Sequence, residues 1–597
     1  MSTYEARLAA LREQLKADRL DGFVVPLTDE HMSEYVGSYA QRLAWLTGFQ
    51  GSAGSAVVLP QEAAIFIDGR YTLQVRDQVD GRHWSYQSVP ETSVAEWLKL
   101  HAPDGGRIGY DPWLHTKDWV ARATEALAGK GAELVAVQSN PIDAVWSDKP
   151  EPSKARLAVH PDSFTGKSSA AKRQEIADWL REQKADAAVL SALDSIAWTF
   201  NVRGQDVEHT PVALSFALVN EDGTAELFVA SEKIGDDVRQ HLGNGVRVHE
   251  RHEFEPHLRS LAGKTVVADP ERAVHAIFEA LEKAGAKIVQ KRDPAVLPKA
   301  IKNRAEIEGH RAAQARDGAA LTRFLHWLSV EAPKGTVDEL IAVEKLQQFR
   351  QACGDLRDTS FDTISGAGPN GAIVHYRVSE ETNRKLEMNS IYLVDSGGQY
   401  PDGTTDVTRT VAIGEPTEEM RDRFTRVLKG HIAVARAVFP EGTRGGQLDS
   451  FARQFLWEAG LDYAHGTGHG VGAYLAVHEG PQRISPPGSG QAGGDEPLQP
   501  GMFLSNEPGY YKTGEYGIRV ENLVLVERRE IEGAEKRMLG FETLTFAPID
   551  RNLIEAGLLS SEERDWLNAY HARVLEIVGP QLDGEAKAWL EAGCAPL

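Results

Sequence analysis

Apolar and polar positions follow the same succession of helical and strand periods twice in the first half of the chain. The first occurrence comprises a helical segment, an apolar run and two further strands, at 11–18, 22–26, 55–59 and 64–68. The second comprises the equivalent elements, at 180–186, 187–190, 212–219 and 225–230. Because Leu-Arg-Glu-Gln occurs in both helical segments and Ala-Trp recurs downstream of each, we predict a duplicated α/β module. The alternative is that Leu-Arg-Glu-Gln is simply favourable helix composition.

Two proline-containing segments, 149–153 and 293–298, divide the chain, since prolines and charges rarely occur together inside an element. After the second segment, the periodicity predicts a long helix from Lys302 to about Val330. The 597 residues are too many for one hydrophobic core and indicate roughly three or four domains. We predict their bounds as follows: 1–158, 159–300, 301–540 and a C-terminal extension, 541–597.

The C-terminal extension is expected to pack on the third domain. It should contain one more strand, at 541–550, and a helix from Ser561 to Val578. Gly579-Pro580 provides the stop signal for that helix.

Composition narrows the class of protein. Hydrophobic residues make up 42% of the chain and charged residues 25%, which is typical of a soluble globular protein. The net charge of −22 argues against nucleic-acid and anionic-membrane partners, because both need a basic surface. With only Cys353 and Cys594, neither a disulfide framework nor a thiolate metal cluster is available. The N-terminal stretch lacks the apolar core of a signal peptide, and no later segment has transmembrane length, so a cytoplasmic location is expected.

The segment 391–410 contains the first candidate functional residues. Its two apolar, β-branched runs flank Asp402-Gly403, which predicts a β-hairpin. Asp395 closes the incoming strand and Asp406 opens the returning strand. Two carboxylates that face each other at buried positions repel, so a basic side chain or a metal ion should lie between them. Arg409 is the only base nearby, which favours a metal ion.

Further ligand-type side chains follow the hairpin in strand-like contexts. His469 lies within His-Gly-Thr-Gly-His-Gly-Val-Gly at 465–472, where alternate glycines would clear one face of a strand beside the imidazole. Glu507 and Glu521 belong to a second strand–turn–strand unit with Gly514 at its turn. Glu521 is flanked by apolar residues and therefore needs a partner.

Four carboxylates and one imidazole are thus available as ligands: Asp395, Asp406, His469, Glu507 and Glu521. Carboxylate-rich sites suit Mn²⁺, Mg²⁺ and similar ions. This set offers too many donor atoms for one ion but fits a bridged pair. Two metal ions about 3.5–4 Å apart activate a bridging water and stabilise an oxyanion.

The order and spacing of these motifs resemble the five-ligand pattern of the pita-bread metallopeptidases. That superfamily contains methionine aminopeptidase, prolidase, aminopeptidase P and the metal-free creatinases. The three-part layout and the stretch 399–410 are most similar to the long, three-domain form of aminopeptidase P, and the likeness covers essentially the whole chain. It implies an α/β fold, with two duplicated creatinase-N-terminal-like domains followed by a pita-bread α+β catalytic domain.

The resemblance also implies a role for each residue. Asp395 would bind one metal ion and His469 with Glu507 the other, while Asp406 and Glu521 would bridge both. Glu507 would take the proton from the bridging water. His375 would face the substrate, and His465 and His478 would handle protons and stabilise the scissile amide. Arg519 and Tyr511 would orient the bridging carboxylate. The alternative for His478 is a structural residue beside the ligands.

Two glycine motifs, at 366–371 and 468–473, match dinucleotide-binding patterns but open no helix within a βαβ unit. We interpret them as turns that deliver His375 and His469.

The function implied by the resemblance is hydrolysis of the N-terminal Xaa-Pro bond of peptides by a dinuclear metal centre. Mn²⁺ is the expected ion, although Co²⁺, Fe²⁺ and Zn²⁺ share these ligands. Peptides with proline at the second position would be the substrates, and a homodimer is expected. One alternative is a prolidase that accepts only dipeptides. Another is a non-catalytic pita-bread protein that binds peptides, although such proteins have lost ligands that are intact here.

Overall fold

The computed structural model describes residues 3–89, 91–488 and 492–597. The chain divides into two compact units, Met1–Val296 and Leu297–Leu597, each with its own sheets and core. Among the described helices, none combines the length and apolar character needed to cross a bilayer. The finer boundaries at 158, 300 and 540 stay predictions.

The first unit contains two six-stranded sheets with the same spatial order of strands. The strands of the first sheet are, in spatial order, Ser85–Ser88, Ala63–Ile67, Ser55–Val58, Gly22–Pro26, Arg107–Tyr110 and Glu133–Ala136. Those of the second are Val246–His249, Ala225–Val229, Ser215–Asn220, Ala187–Leu190, Thr265–Ala268 and Lys287–Gln290. In both sheets, two antiparallel pairings at the centre are flanked by parallel ones. The predicted duplication is therefore confirmed.

The inner strands of these sheets are almost entirely buried, and Ala63–Ile67 and Ala187–Leu190 are buried along their whole length. Such continuous apolar runs are typical of strands covered by helices on both faces. The helices of this unit are Thr3–Ala17, Arg42–Thr47, Gln74–Gln78, Val94–His101, Lys117–Ala128, Pro141–Val145, Asp162–Thr165, Ser169–Gln183, Leu193–Phe200, Asp236–Leu242, Phe254–Arg259 and His275–Ala284. A short ladder pairs Ala158–Val159 with Val202–Arg203.

The second unit is built around the predicted long helix, which spans Arg304–Glu331. Asn303 caps it by accepting the backbone N–H groups of Ala305 and Glu306, and Glu306 accepts the N–H of Asn303 in return. The other helices of this unit are Glu339–Ala352, Glu418–Ala435, Gly445–Trp457, Ser561–Val578 and Gly584–Gly593. The helix Val296–Ala300 contains the junction between the units.

The predicted hairpin is present. Ser390–Ser396 pairs with Val407–Ile413, and Ile364–Ala367 adds a third antiparallel strand. Toward the tip, the chain forms a separate small ladder on either side of Asp402-Gly403, made of Asp358–Thr359, Gly398–Tyr400 and Gly403–Thr404.

A six-stranded sheet carries the later ligands, with the spatial order Val438–Pro440, Met538–Thr543, Asn522–Arg529, Phe503–Asn506, Gly468–Gly470 and Glu479–Ile484. A separate hairpin pairs Gly509–Lys512 with Tyr516–Arg519, and Gly514 at its turn has a φ of +76°. The strand expected at 541–550 ends at Thr543. Beyond that point, the carbonyls of Ala547 and Pro548 accept hydrogen bonds from Arg409 rather than from a neighbouring strand.

Arg409, the base closest in sequence to the two aspartates, directs its side chain away from them. Its guanidinium is buried and contacts three parts of the unit. It donates to the carbonyls of Thr408, Glu521, Ala547 and Pro548, to Asn522 Oδ1 and to Tyr570 Oη. The side chain therefore ties the hairpin to the strand after Glu521 and to the helix Ser561–Val578. It does not separate the two aspartates.

Replacing Arg409 by Met should lower the free energy of unfolding by about 3–5 kcal/mol, because several buried acceptors would lose their donor. Denaturant unfolding of the full chain measures the change. The matched control is Arg436→Met at the exposed end of the helix Glu418–Ala435, which should change stability by less than about 0.5 kcal/mol. Equal losses in the two variants would contradict the role assigned to Arg409.

Candidate metal centre

Strand ends bring the predicted ligands to one place. Asp395 lies one residue before the end of its strand, and Asp406 directly precedes the returning strand. His469 is at the middle of Gly468–Gly470. Glu507 follows the strand Phe503–Asn506, and its N–H donates to the carbonyl of Thr467 at 2.8 Å. Glu521 joins two strands, and its N–H donates to the carbonyl of Thr408 at 3.3 Å.

Asp406, His469 and Glu521 form the centre of the group. Each offers a ligand atom, and these atoms all lie within 4.8 Å of one another. His469 Nε2 is 3.4 Å from Asp406 Oδ2 and 3.3 Å from Glu507 Oε1. The structure therefore brings four of the predicted ligands into direct proximity.

Asp395 reaches the group through a different contact. Its Oδ2 accepts a hydrogen bond from Arg519 Nη2 at 2.6 Å. Its Oδ1 is buried and has no hydrogen-bond partner among the described residues. A buried carboxylate oxygen without a donor is costly, and a cation at that oxygen would satisfy it. The sequence prediction of a metal ion rested on Arg409 as the only base nearby, and that premise was wrong because Arg519 binds Asp395.

The electrostatics of the group favour a divalent cation. Burial raises the pKa of Asp406 and of Glu521 well above the ordinary value, and neighbouring carboxylates raise both further. Burial also raises the pKa of Glu507. Each shift reflects the cost of gathering negative charge away from water. Carboxylate oxygens and a neutral imidazole are ligands for Mn²⁺ and similar ions, so the residues present fit divalent metal ions.

Arg519 connects the ligands to one another. Its Nε donates to Thr408 Oγ1, which in turn donates to Glu521 Oε2 at 2.6 Å. Its Nη1 donates to Tyr511 Oη at 2.6 Å, and Tyr511 Oη lies 2.8 Å from His465 Nε2. Arg519 thus contacts Asp395 directly and reaches Glu521 through Thr408. Tyr511 and His465 are therefore linked to the carboxylates through the guanidinium of Arg519.

The two remaining histidines occupy different positions. The ring of His478 packs edge-on against that of His469, with 4.3 Å between their centroids. His375 is half-buried and lies in the turn that follows the short 3₁₀ helix Gly368–Ala372. The backbone of this helix adjoins Gly517, two residues before Arg519, where an added Cβ on Gly517 would lie 1.6 Å from the carbonyl oxygen of Gly371.

The glycines around His469 serve a different purpose from the one expected. A Cβ at Gly468 would lie 1.9 Å from Ser505 O, and one at Gly470 would lie 2.4 Å from Glu479 O. These glycines therefore allow neighbouring backbones to approach closely, which holds His469 between two strands.

Sequence reasoning missed His431, which supports two ligands from behind. His431 is buried on the helix Glu418–Ala435. Its Nδ1 is 3.1 Å from Asn506 O, and its Nε2 is 3.2 Å from Asn522 Nδ2. These asparagines adjoin Glu507 and Glu521. No motif in the sequence links residues so far apart, whereas Thr408 follows Asp406 by two positions and could have been found from strand alternation.

Comparison with known families agrees with this geometry. The profile of Metallopeptidase family M24 matches residues 308–528, and that of the C-terminal region of peptidase_M24 matches 537–597. Two profiles of the Creatinase/Prolidase N-terminal domain match 7–145 and 148–306. A protein of Laccaria bicolor named probable Xaa-Pro aminopeptidase P is 42% identical, covering 99% of this chain and 93% of its own. The chain belongs to the Xaa-Pro aminopeptidase P family.

Other members of the Xaa-Pro aminopeptidase P family show the same breadth of similarity. Aminopeptidase P2 of Arabidopsis thaliana is 40% identical over 97% of this chain and 86% of its own. The crystal structure of X-prolyl aminopeptidase from Caenorhabditis elegans, described as a cytosolic enzyme with a di-nuclear active site, has a TM-score of 0.94. It is 35% identical, and the match covers all of both chains.

We predict that Asp406→Asn weakens metal binding but stabilises the metal-free protein. Affinity for Mn²⁺ should fall by more than about 100-fold, since even the partners of ligands contribute about 10–100-fold. The metal-free protein should become more stable, on the order of 1 kcal/mol, because one buried like charge is removed. Calorimetric titration and denaturant unfolding measure the two effects.

The control for Asp406→Asn is Asp565→Asn, an exposed position on the helix Ser561–Val578. It should leave both quantities unchanged. Wild-type affinity for Mn²⁺ in Asp406→Asn would exclude Asp406 as a ligand.

Proposed function

We propose that this protein is an aminopeptidase that hydrolyses the bond between the first residue of a peptide and a proline at the second position. The observation that carries the proposal is the convergence of Asp406, His469, Glu507 and Glu521 beside Asp395, in a chain of the Xaa-Pro aminopeptidase P family. The centre would hold two divalent metal ions, of which Mn²⁺ is the first candidate. Asp395 would bind one ion, His469 and Glu507 the other, and Asp406 and Glu521 both.

Metal ions bound there supply Lewis acidity, which activates a water and stabilises negative charge on the scissile carbonyl. The protein's own part is to hold the reacting groups and move protons. Glu507, which also accepts the hydroxyl of Ser505 at 3.0 Å, would take a proton from the attacking water. The departing prolyl nitrogen is a poor leaving group and needs a proton, which Glu507 or a histidine would supply.

The three histidines around the centre have different roles in this proposal. His465 would exchange protons through Tyr511, its hydrogen-bonded partner. His478 would stabilise the scissile amide from its place against the ring of His469. His375 would face the substrate. Arg519 holds the Asp395 carboxylate in place through its hydrogen bond, because a guanidinium stays charged at all working pH values.

Two alternatives are weaker. A prolidase would take only dipeptides, but the relatives that are similar over the full length of this chain are named aminopeptidases. A non-catalytic peptide-binding protein would not need to retain the five ligands that are present here. A cytoplasmic location is proposed from the unpaired Cys353 and Cys594 and from the C. elegans enzyme, and cell fractionation tests it.

The experiment is a cleavage assay on the purified full chain. Arg-Pro-Pro should release arginine, Ala-Ala-Ala should remain intact, and the dipeptide Ala-Pro should be cleaved more slowly than the tripeptide. Chelation should abolish activity and added Mn²⁺ should restore it, because the proposed reaction depends on the bound ions. Efficient cleavage of Ala-Ala-Ala would refute the proline specificity, and activity confined to Ala-Pro would identify a prolidase.

We also propose that the protein is a homodimer, on the basis of the family resemblance. Sedimentation equilibrium should give about twice the 65.4 kDa of one chain. A single species of one chain's mass at micromolar concentration would refute this proposal.

A further inference from the structure

A buried carboxylate outside the metal centre binds both ends of the segment that carries His375. Glu339 is fully buried at the first turn of the helix Glu339–Ala352. Its Oε1 accepts the N–H of Ala367 at 2.7 Å, and its Oε2 accepts the N–H of Arg384 at 2.9 Å. One side chain therefore closes the loop 368–383 at its base.

The same carboxylate also binds two side chains on either side of His375. Asn370 Nδ2 donates to Oε1 at 2.9 Å and to Oε2 at 3.0 Å, and Tyr376 Oη donates to Oε2 at 3.0 Å. Asn370 and Tyr376 are also hydrogen-bonded to each other and to the carbonyl of Thr382. His375 is adjacent to one of these side chains and five residues from the other, so the network fixes the backbone around it.

Capping of the helix does not explain Glu339. Asp338 is the capping residue, because its side chain accepts the N–H of Ile341 at 2.9 Å. Four separate groups converge on the Glu339 carboxylate instead, two from side chains of the loop and two from the backbone at its base. Hydrogen bonds to an ionised acceptor are about twice as strong as neutral ones, so this network is rigid.

The opposite side of the loop lies against the strand that carries Arg519. The backbones of Gly371 and Gly517 approach so closely that no side chain fits between them, since an added Cβ on Gly517 would be 1.6 Å from Gly371 O. Arg519, two residues along, binds Asp395 at 2.6 Å. The loop is thus held between Glu339 on one side and the strand next to the metal ligands on the other.

We propose that Glu339 is a positioning residue that holds His375 in its substrate-facing place through the loop 368–383. The proposal rests on the proposed function, in which His375 faces the substrate. Glu339 contacts none of the ligands that the proposed function assigns, so it should affect the use of substrate and leave metal binding unchanged. Glutamine is the suitable replacement, because either orientation of its amide places an NH₂ group against a backbone N–H, of Ala367 or of Arg384.

The test is a double-mutant cycle on the full chain with Glu339→Gln and His375→Ala. Glu339→Gln should lower kcat/KM on an Xaa-Pro-Xaa tripeptide by at least tenfold, with wild-type Mn²⁺ content by elemental analysis. In the His375→Ala background, the same substitution should change kcat/KM by less than threefold. Unchanged kcat/KM in the single variant, or equal losses in both backgrounds, would overturn the proposal.

A control variant and a replacement variant complete the double-mutant cycle. Glu344→Gln, at an exposed position of the same helix, is the matched control and should retain wild-type kinetics. If Glu339→Gln does not fold, Tyr376→Phe replaces it in the cycle, because it removes one donor to the carboxylate and keeps the ring. Tyr376→Phe should then lower kcat/KM by at least threefold only when His375 is present, and an equal loss in both backgrounds refutes the proposal.

Hydrogen exchange separates this inference from the proposed function. Glu339→Gln should speed exchange of the amides at 368–383 and leave those of the strands bearing Asp395 and His469 unchanged. Unaltered exchange at 368–383 would refute the positioning role whether or not the wild-type protein cleaves peptides. Absence of Xaa-Pro cleavage by the wild type, with faster exchange in the variant, would refute the proposed function alone.

Discussion

Four carboxylates gathered in a buried space constrain the whole second unit. Like charges away from water repel and lose hydration, and the raised pKa values of Asp406, Glu507 and Glu521 express that cost. The protein meets part of it with Arg519, which binds Asp395. The rest requires cations, since Asp395 Oδ1 is buried and unpartnered among the described residues. The surrounding strands must therefore keep the carboxylates together against their own repulsion.

The returning strand of the hairpin helps to keep the carboxylates together, and its two faces have different functions. Thr408 and Thr410 share one face of the strand, where Thr408 donates to Glu521 and Thr410 exchanges hydrogen bonds with the backbone of Arg519. Arg409, between them, points the other way and donates to the carbonyls of two other segments, at Glu521 and at Ala547 and Pro548. Strand alternation thus separates ligand support from the anchoring of the surrounding chain. Behind the later ligands, His431 performs the same anchoring through Asn506 and Asn522.

The sequence predicted the ligand-type residues because ionisable groups at strand positions are unusual and their spacing forms a specific pattern. It also predicted the hairpin, the long helix and the duplicated modules, which depend on local periodicity and turn residues. Residue patterns alone did not predict the partners of those residues, and the resemblance assigned Arg519 to a bridging carboxylate, whereas it binds Asp395 directly. The pairing of Arg519 with Asp395 joins positions 124 residues apart, and that of His431 with Asn506 joins positions 75 apart. Such contacts follow from how strands are placed in space, which periodicity does not encode. The role of the glycines at 468 and 470 was misjudged for the same reason, since the backbones they admit come from distant segments.

The position of Tyr570 has a consequence for the order of events during synthesis. Its hydroxyl accepts from Arg409 and bonds the carbonyl of Ala547, so the hairpin is anchored partly by a residue near the end of the chain. All the proposed ligands have left the ribosome well before the helix Ser561–Val578 does. The nascent chain therefore exposes its carboxylates while Arg409 still lacks its last partners. The hairpin that bears two of the proposed ligands therefore depends for its anchoring on a helix that follows every one of those ligands in the chain.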